Sequence, residues 1–107
     1  MIFSVIPSGK FKRETQRLIK KFPSLKSELA DSSSILEQKP ETGTALSNYC
    51  YKIRLTIKRK GKGKNGGGRV ITYVVTEKNE VYLLTIYDKS ELNSIVLTKQ
   101  SNQLLKV

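Results

Sequence analysis

Tyr49-Cys50-Tyr51-Lys52-Ile53-Arg54-Leu55-Thr56-Ile57-Lys58 is the stretch on which the fold turns. Tyr49, Tyr51, Ile53, Leu55 and Ile57 alternate with Cys50, Lys52, Arg54, Thr56 and Lys58. A period of two marks a strand with two unlike faces. One face is apolar and has to cover a core; the other is largely cationic. Lys52 and Arg54 stand two apart, so they share the second face at about 6–7 Å. Like charges this close are unfavourable unless they are solvated or meet an anion. A phosphate suits both, since arginine offers a two-pronged fork and lysine a movable point charge.

Downstream, Val70–Val75 and Val81–Tyr87 read as two more strands, apolar on both faces as inner strands tend to be. Glu77-Lys78-Asn79-Glu80 supplies a hairpin turn between them. Upstream, Pro40–Thr44 is a loop, and before it the period changes. Phe11, Leu18, Ile19 and Phe22 share one stripe at helical spacing, with charges opposite. Pro23 interrupts, and Ser24 is placed to cap a second helix carrying Leu25, Leu29 and Leu36. So close a junction predicts an antiparallel helical hairpin. Met1–Ile6 is a short, β-branched first strand ending at Pro7-Ser8-Gly9, and beyond Ser90 a loop leads to a short helix over Lys99–Leu105. The order β-α-α-β-β-β predicts one α+β domain over residues 1–107, a helical hairpin packed on one side of a mostly antiparallel four-stranded sheet.

The charge is concentrated where the deciding strand lies. The 107 residues carry 20 Lys+Arg against 9 Asp+Glu, a net charge of +11. Residues 42–76 hold eight of the bases (Lys52, Arg54, Lys58, Arg59, Lys60, Lys62, Lys64 and Arg69) and no acid. A charge run is usually a solvated face, but the absence of acids over a third of the chain favours a surface for a polyanionic partner: nucleic acid, anionic membrane or acidic protein. Histidine is absent, which excludes His-based acid–base chemistry, a Ser-His-Asp or Cys-His triad and a His-ligated metal. Cys50 is the lone cysteine, so no internal disulfide forms and a thiolate metal site is not expected. Neither metal nor cofactor is implied. The apolar run near Val81–Tyr87 is too short to span a bilayer, and residues 1–6 lack the charged flank of a signal peptide. These features predict a soluble cytoplasmic protein with no membrane partner.

Gly61-Lys62-Gly63-Lys64-Asn65-Gly66 matches G-x-G-x-x-G by letter. A dinucleotide site needs that turn between a strand and a helix N-terminus, whereas here it leads into another strand. No Gly-Lys-Ser/Thr ends the run, so it is not a P-loop either. It reads as a flexible, glycine-rich arm over Gly61–Gly68 whose lysines reach a phosphodiester backbone. Lys58, Arg59, Lys60, Lys62 and Lys64 are therefore candidate RNA contacts. Arg69 opens the next strand directly after the glycines, which predicts an exposed side chain able to join Lys52 and Arg54 across the hairpin. Lys89, at the end of the last strand, can close the ring of cations. Tyr87 shares its parity and is placed to stack on a base.

Tyr51-Lys52-Ile53-Arg54-Leu55, the Gly61–Lys64 loop leading to Gly67-Gly68-Arg69-Val70-Ile71, and Tyr82-Leu83-Leu84-Thr85-Ile86-Tyr87-Asp88-Lys89 stand in an order that resembles the RelE/ParE toxin superfamily, most closely the HigB-like branch of RelE toxins. Lys20-Lys21-Phe22-Pro23-Ser24-Leu25 extends the resemblance to the helical hairpin. The resemblance implies the toxin of a bacterial type II toxin–antitoxin system, partnered by a cognate antitoxin, a small helix-turn-helix protein. RelE-like members cut mRNA in the ribosomal A site without a metal, and ParE-like members poison DNA gyrase. Lys52 and Arg54 match the basic pair of the family's second strand, and Arg69 matches the arginine opening the third. Lys89 falls beside the family's further arginine, where this chain has Ser90, and the tyrosine that some members use afterwards has no counterpart at Ile95-Val96.

The chemistry agrees with that implication. RNA self-cleavage needs a 2′-OH deprotonated, a pentavalent phosphate stabilised and a 5′-oxygen protonated, and clustered Lys and Arg can serve all three. Packed cations lower one another's proton affinity. Lys52 is the expected base, Arg54 and Arg69 the phosphate clamp, and Lys89 the group assisting the leaving oxygen, with the ribosome and its mRNA as partners. The alternative is a non-nuclease member, either a gyrase-binding toxin of ParE type or a module that only binds protein or RNA.

Overall fold

The computed structural model describes residues 2–58 and 65–89. The expected helix over Lys99–Leu105 and the candidate contacts Arg59, Lys60, Lys62 and Lys64 lie outside them. Chain order is β1 (Ser4–Pro7), α1 (Gly9–Lys21), α2 (Leu25–Gln38), β2 (Thr44–Ala45), β3 (Cys50–Lys58), β4 (Asn65–Val75) and β5 (Glu80–Asp88). The strands form one sheet in the order β1-β5-β4-β3-β2. β1 lies parallel to β5, and the other neighbours are antiparallel. The fold is the expected α+β arrangement of two helices against a sheet, with five strands rather than four. Among the described residues no helix is long and apolar enough to cross a membrane.

The extra strand is β2, expected as loop. Asn48 and Tyr49 both adopt left-handed backbone, φ 54° and 63°. Cys50 N–H donates to the Ser47 carbonyl at 3.1 Å. Two left-handed residues in a row make the tight turn whose twist suits a hairpin, and it folds Thr44–Ala45 back onto Lys52 and Tyr51.

Helix α1 begins at Ser8, whose Oγ accepts from Phe11 N–H at 3.1 Å and donates to the Leu84 carbonyl at 3.0 Å. One hydroxyl thus caps the helix and ties it to β5. Lys20 and Lys21 occupy the last turn, favourable against the helix dipole, and Pro23 follows. Ser24 holds the N-cap position of α2 but in helical conformation, without the side-chain cap expected of it. Phe11, Leu18, Phe22, Leu25 and Leu36 from the helices meet Ile53, Leu55, Val70, Val74, Val81, Leu83 and Ile86 from the sheet. Each fully buried leucine, such as Leu18 or Leu25, contributes about 1.5–3 kcal/mol. The helices cover this face, and among the described residues no helix packs on the opposite, open face of the sheet.

One irregularity decides what the open face displays. Ile71 stands opposite Thr85 and Thr72 opposite Leu83, which leaves Leu84 as an extra residue on β5. Such a bulge reverses the in–out alternation beyond it. Val81 and Leu83 face the helices before it and Ile86 after it, so Tyr87 turns outward. Strict alternation from Val81 would have sent Tyr87 into the core. β1 ends at Pro7 opposite Leu83, and beyond that point the edge of β5 is met by Glu14 of α1. Glu14 accepts from the Thr85 hydroxyl at 2.6 Å and from Ile86 N–H at 3.2 Å, and it pairs with Lys10 at 2.9 Å.

Candidate functional site: a cationic groove on the open sheet face

The register places Arg54, Arg69 and Tyr87 in one row across β3, β4 and β5. Lys52 lies one same-face position along β3 from Arg54. Together with Lys89, Gly43 and Thr44 these residues line a groove of about 370 Å³. All four basic residues singled out as catalytic candidates therefore meet in one place. Among the described residues none of them is paired with a carboxylate. Directly opposed like charges destabilise a sheet unless something neutralises them. Arg54 beside Arg69 is such a pair.

Arg69 departs from the exposed side chain expected. It is 9% exposed, and its Nη1 donates to the Gly68 carbonyl at 2.9 Å. The reason is the glycine run, which is not a loop throughout: Gly66, Gly67 and Gly68 belong to β4. A Cβ on Gly67 would lie 3.0 Å from Arg69 Nη1 and 3.4 Å from Lys89 Cβ. The bare backbone there is the bed on which the guanidinium rests.

Tyr87 also departs from expectation. At 7% exposure its ring is packed into the floor of the groove rather than open for stacking. Burial pushes its phenol above the ordinary tyrosine value, and the nearby Arg69 charge pulls it partly back. It stays a protonated donor at neutral pH. Lys52 is half-buried, while Arg54 and Lys89 are exposed, so the groove grades from a fixed guanidinium to mobile cations. Lys58 ends β3 opposite Asn65.

Sequence reasoning missed the wall at Gly43 and Thr44. Gly43 has φ 106°, and a Cβ there would come within 2.5 Å of the Lys52 carbonyl oxygen. Only glycine lets β2 approach the backbone that carries Lys52. A glycine after a proline-containing loop was the available signal, and it gave no hint of which strand it would meet. Cys50, on the cationic face, is buried, which raises its thiol above the ordinary value and leaves it poorly suited to act as a nucleophile. Among the described residues no cluster of three His, Cys, Asp or Glu could hold a metal.

The sequence matches no protein-family model. Solved structures do match the fold. E. coli toxin RelE, as a double arginine-to-alanine mutant in the free state, is similar with a TM-score of 0.62 at 17% identity, covering 96% of this chain and 98% of that one. The same mutant in complex with an antitoxin RelBc peptide gives 0.60 at 16% identity, covering 94% and 95%. A metal-bound toxin from Helicobacter pylori gives 0.52 at 17% identity, covering 87% and 100%. The architecture built above is that of the RelE toxins.

Proposed function

We propose that this chain is the toxin of a type II toxin–antitoxin pair, a ribosome-dependent endoribonuclease that cuts mRNA in the cytoplasm and so stops translation. The observation that carries the reading is the row Arg54–Arg69–Tyr87 flanked by Lys52 and Lys89 in a single groove, its cations paired with no carboxylate among the described residues. Its chemistry fits a scissile phosphate. Lys52 is the base that takes the proton of the 2′-OH as that oxygen attacks phosphorus. Arg54 and Arg69 hold the non-bridging oxygens as negative charge builds, Arg69 being fixed in advance by its bond to Gly68. The bond to the 5′-oxygen breaks, and Lys89 supplies that oxygen's proton. The products are a 2′,3′-cyclic phosphate and a 5′-hydroxyl. No resident metal is required in this scheme. The groove is shallow and open, so the ribosome provides the in-line geometry that the protein alone does not.

An antitoxin encoded beside the chain is the expected inhibitor; the comparison with RelE held by an antitoxin peptide supports one. The HigB-like branch is the one whose text Tyr51–Leu55 and Tyr82–Lys89 resemble. The test is expression in a bacterial host with mapping of transcript ends. New 5′ ends within translated codons, relieved by the neighbouring gene product, are expected. Intact transcripts with a DNA-damage response would instead assign the gyrase-directed alternative.

A further inference from the structure

We propose that Tyr49, Tyr73 and Tyr82 form a stacking subsite for a nucleobase of the single-stranded RNA whose backbone occupies the cationic groove, a proposal that rests on the RNA-cleaving reading of that groove. Tyr73 and Tyr82 lie on the open face, and Tyr49 shares a cleft with Tyr73. Cys50, Tyr73 and Tyr82 form one cross-strand row, and Ile71, neighbour of Lys52, and Arg69 follow on β4. Tyr73 is two residues from Ile71 and four from Arg69, about 7 and 13 Å along the strand. A base at Tyr73 and a phosphate at Lys52 and Arg54 are thus within reach of one short stretch of RNA.

The tyrosine end differs from the groove in the way a base site should. Tyr49 is 72% exposed and Tyr73 38%, in contrast to the buried Tyr87. The Tyr73 and Tyr82 rings lie 6.5 Å apart at 34°, and a second cleft of about 290 Å³ is lined by Tyr49, Tyr73 and Val74–Glu77. Tyr49 is held in left-handed backbone, φ 63°, where asparagine or glycine would sit at less strain. Its ring makes no contribution to the core, so folding does not explain a bulky aromatic there. Glu77 lines the cleft, and Glu80 accepts the Tyr82 hydroxyl at 2.7 Å. Carboxylates at this end repel phosphate, and the cations at the other end attract it. That polarity orients the strand, with backbone over Lys52 and Arg54 and a base over the tyrosines. Because every base has a π-face, the subsite adds affinity without choosing sequence.

The test is fluorescence anisotropy with a short labelled single-stranded RNA, its riboses 2′-O-methylated to prevent cleavage, from about 50 to 200 mM salt. The full chain is compared with Tyr49→Asn, Tyr73→Leu, Tyr73→Phe and Arg54→Ala. Tyr49→Asn and Tyr73→Leu should each weaken binding about tenfold with an unchanged salt slope, because no phosphate contact is lost. Tyr73→Phe should bind like the parent. Tyr49→Asn suits the left-handed turn, so it remains informative if Tyr73→Leu does not fold. Unchanged affinity in both ring-removing variants, with Arg54→Ala weakened and its slope reduced, overturns the subsite, leaves the groove reading standing and assigns the tyrosines to a protein contact. Unchanged affinity in Arg54→Ala with a flat salt titration overturns the RNA reading of the groove, and the subsite with it.

Discussion

Gly67→Ala separates stability from activity and tests the bed under Arg69. The added methyl would stand 3.0 Å from Arg69 Nη1, 3.6 Å from Cζ and 3.4 Å from Lys89 Cβ. Ordinary carbon contacts lie near 3.5–4.0 Å, so the guanidinium has to retreat by about 0.5 Å or swing aside. The neighbour that yields is the end of a flexible side chain, and the backbone need not move. Replacing a strand glycine also lowers the entropy of the unfolded chain, worth about 0.5–1 kcal/mol to the folded state. The melt should therefore hold or rise slightly. Misplacing a catalytic fork by about 1 Å can cost 10²-fold, and a loss of about 10- to 100-fold in mRNA cleavage on programmed ribosomes is expected. Gly9→Ala is the control. Its methyl meets only Arg13 Nη1, at an ordinary 3.5 Å, so it should also stabilise while leaving cleavage unchanged. Parental cleavage by a normally folded Gly67→Ala would refute the claim that Arg69 works from its seat over Gly67.

Arg69→Ala should lower cleavage about 10²–10³-fold and cost about 1 kcal/mol in a thermal melt, because its stem is packed; full activity would remove it from the site. Glu14→Ala leaves Ile86 N–H and the Thr85 hydroxyl without their acceptor, at a cost of about 1–3 kcal/mol, and hydrogen exchange at Ile86 should quicken while Glu14→Gln loses less. Gly43→Ala drives a Cβ into the Lys52 carbonyl and should detach β2, read as faster exchange over Thr44–Ala45. Burial raises both the Cys50 thiol and the Tyr87 phenol in the folded state, so their contribution to stability is complete below about pH 8.5 and is lost as pH climbs past about 10. Ellman's reagent should accordingly label Cys50 slowly at pH 8 and quickly only after unfolding.

The parts of the fold governed by local pattern were legible in the sequence. The alternation over Tyr49–Lys58 put Ile53 and Leu55 inward and Lys52 and Arg54 outward, and the stripe Phe11, Leu18 and Phe22 placed α1. The four cations converge because the β3–β4 hairpin and the end of β5 are close in any antiparallel arrangement of those strands. What escaped depends on contacts between distant residues. The bulge at Leu84 inverts the parity of Tyr87, and it is held by Ser8 and Glu14, more than seventy residues away. Composition alone cannot tell a glycine that loosens a loop from one that makes room for a guanidinium. That ambiguity hid both the burial of Arg69 and the extension of β4 back to Asn65. The strand at Thr44–Ala45 was missed because its turn uses Asn48 and Tyr49 rather than the usual Asn-Gly.

The most direct test of the central claim adds purified full-length chain to ribosomes programmed with a defined mRNA, in the presence and absence of a chelator, and reads both new ends of the transcript. The account predicts a cut within the A-site codon, a 2′,3′-cyclic phosphate on the upstream fragment, indifference to the chelator, and loss of the cut in Arg54→Ala and Arg69→Ala. An mRNA left whole by the folded parent chain, or cut equally well by both variants, would contradict it.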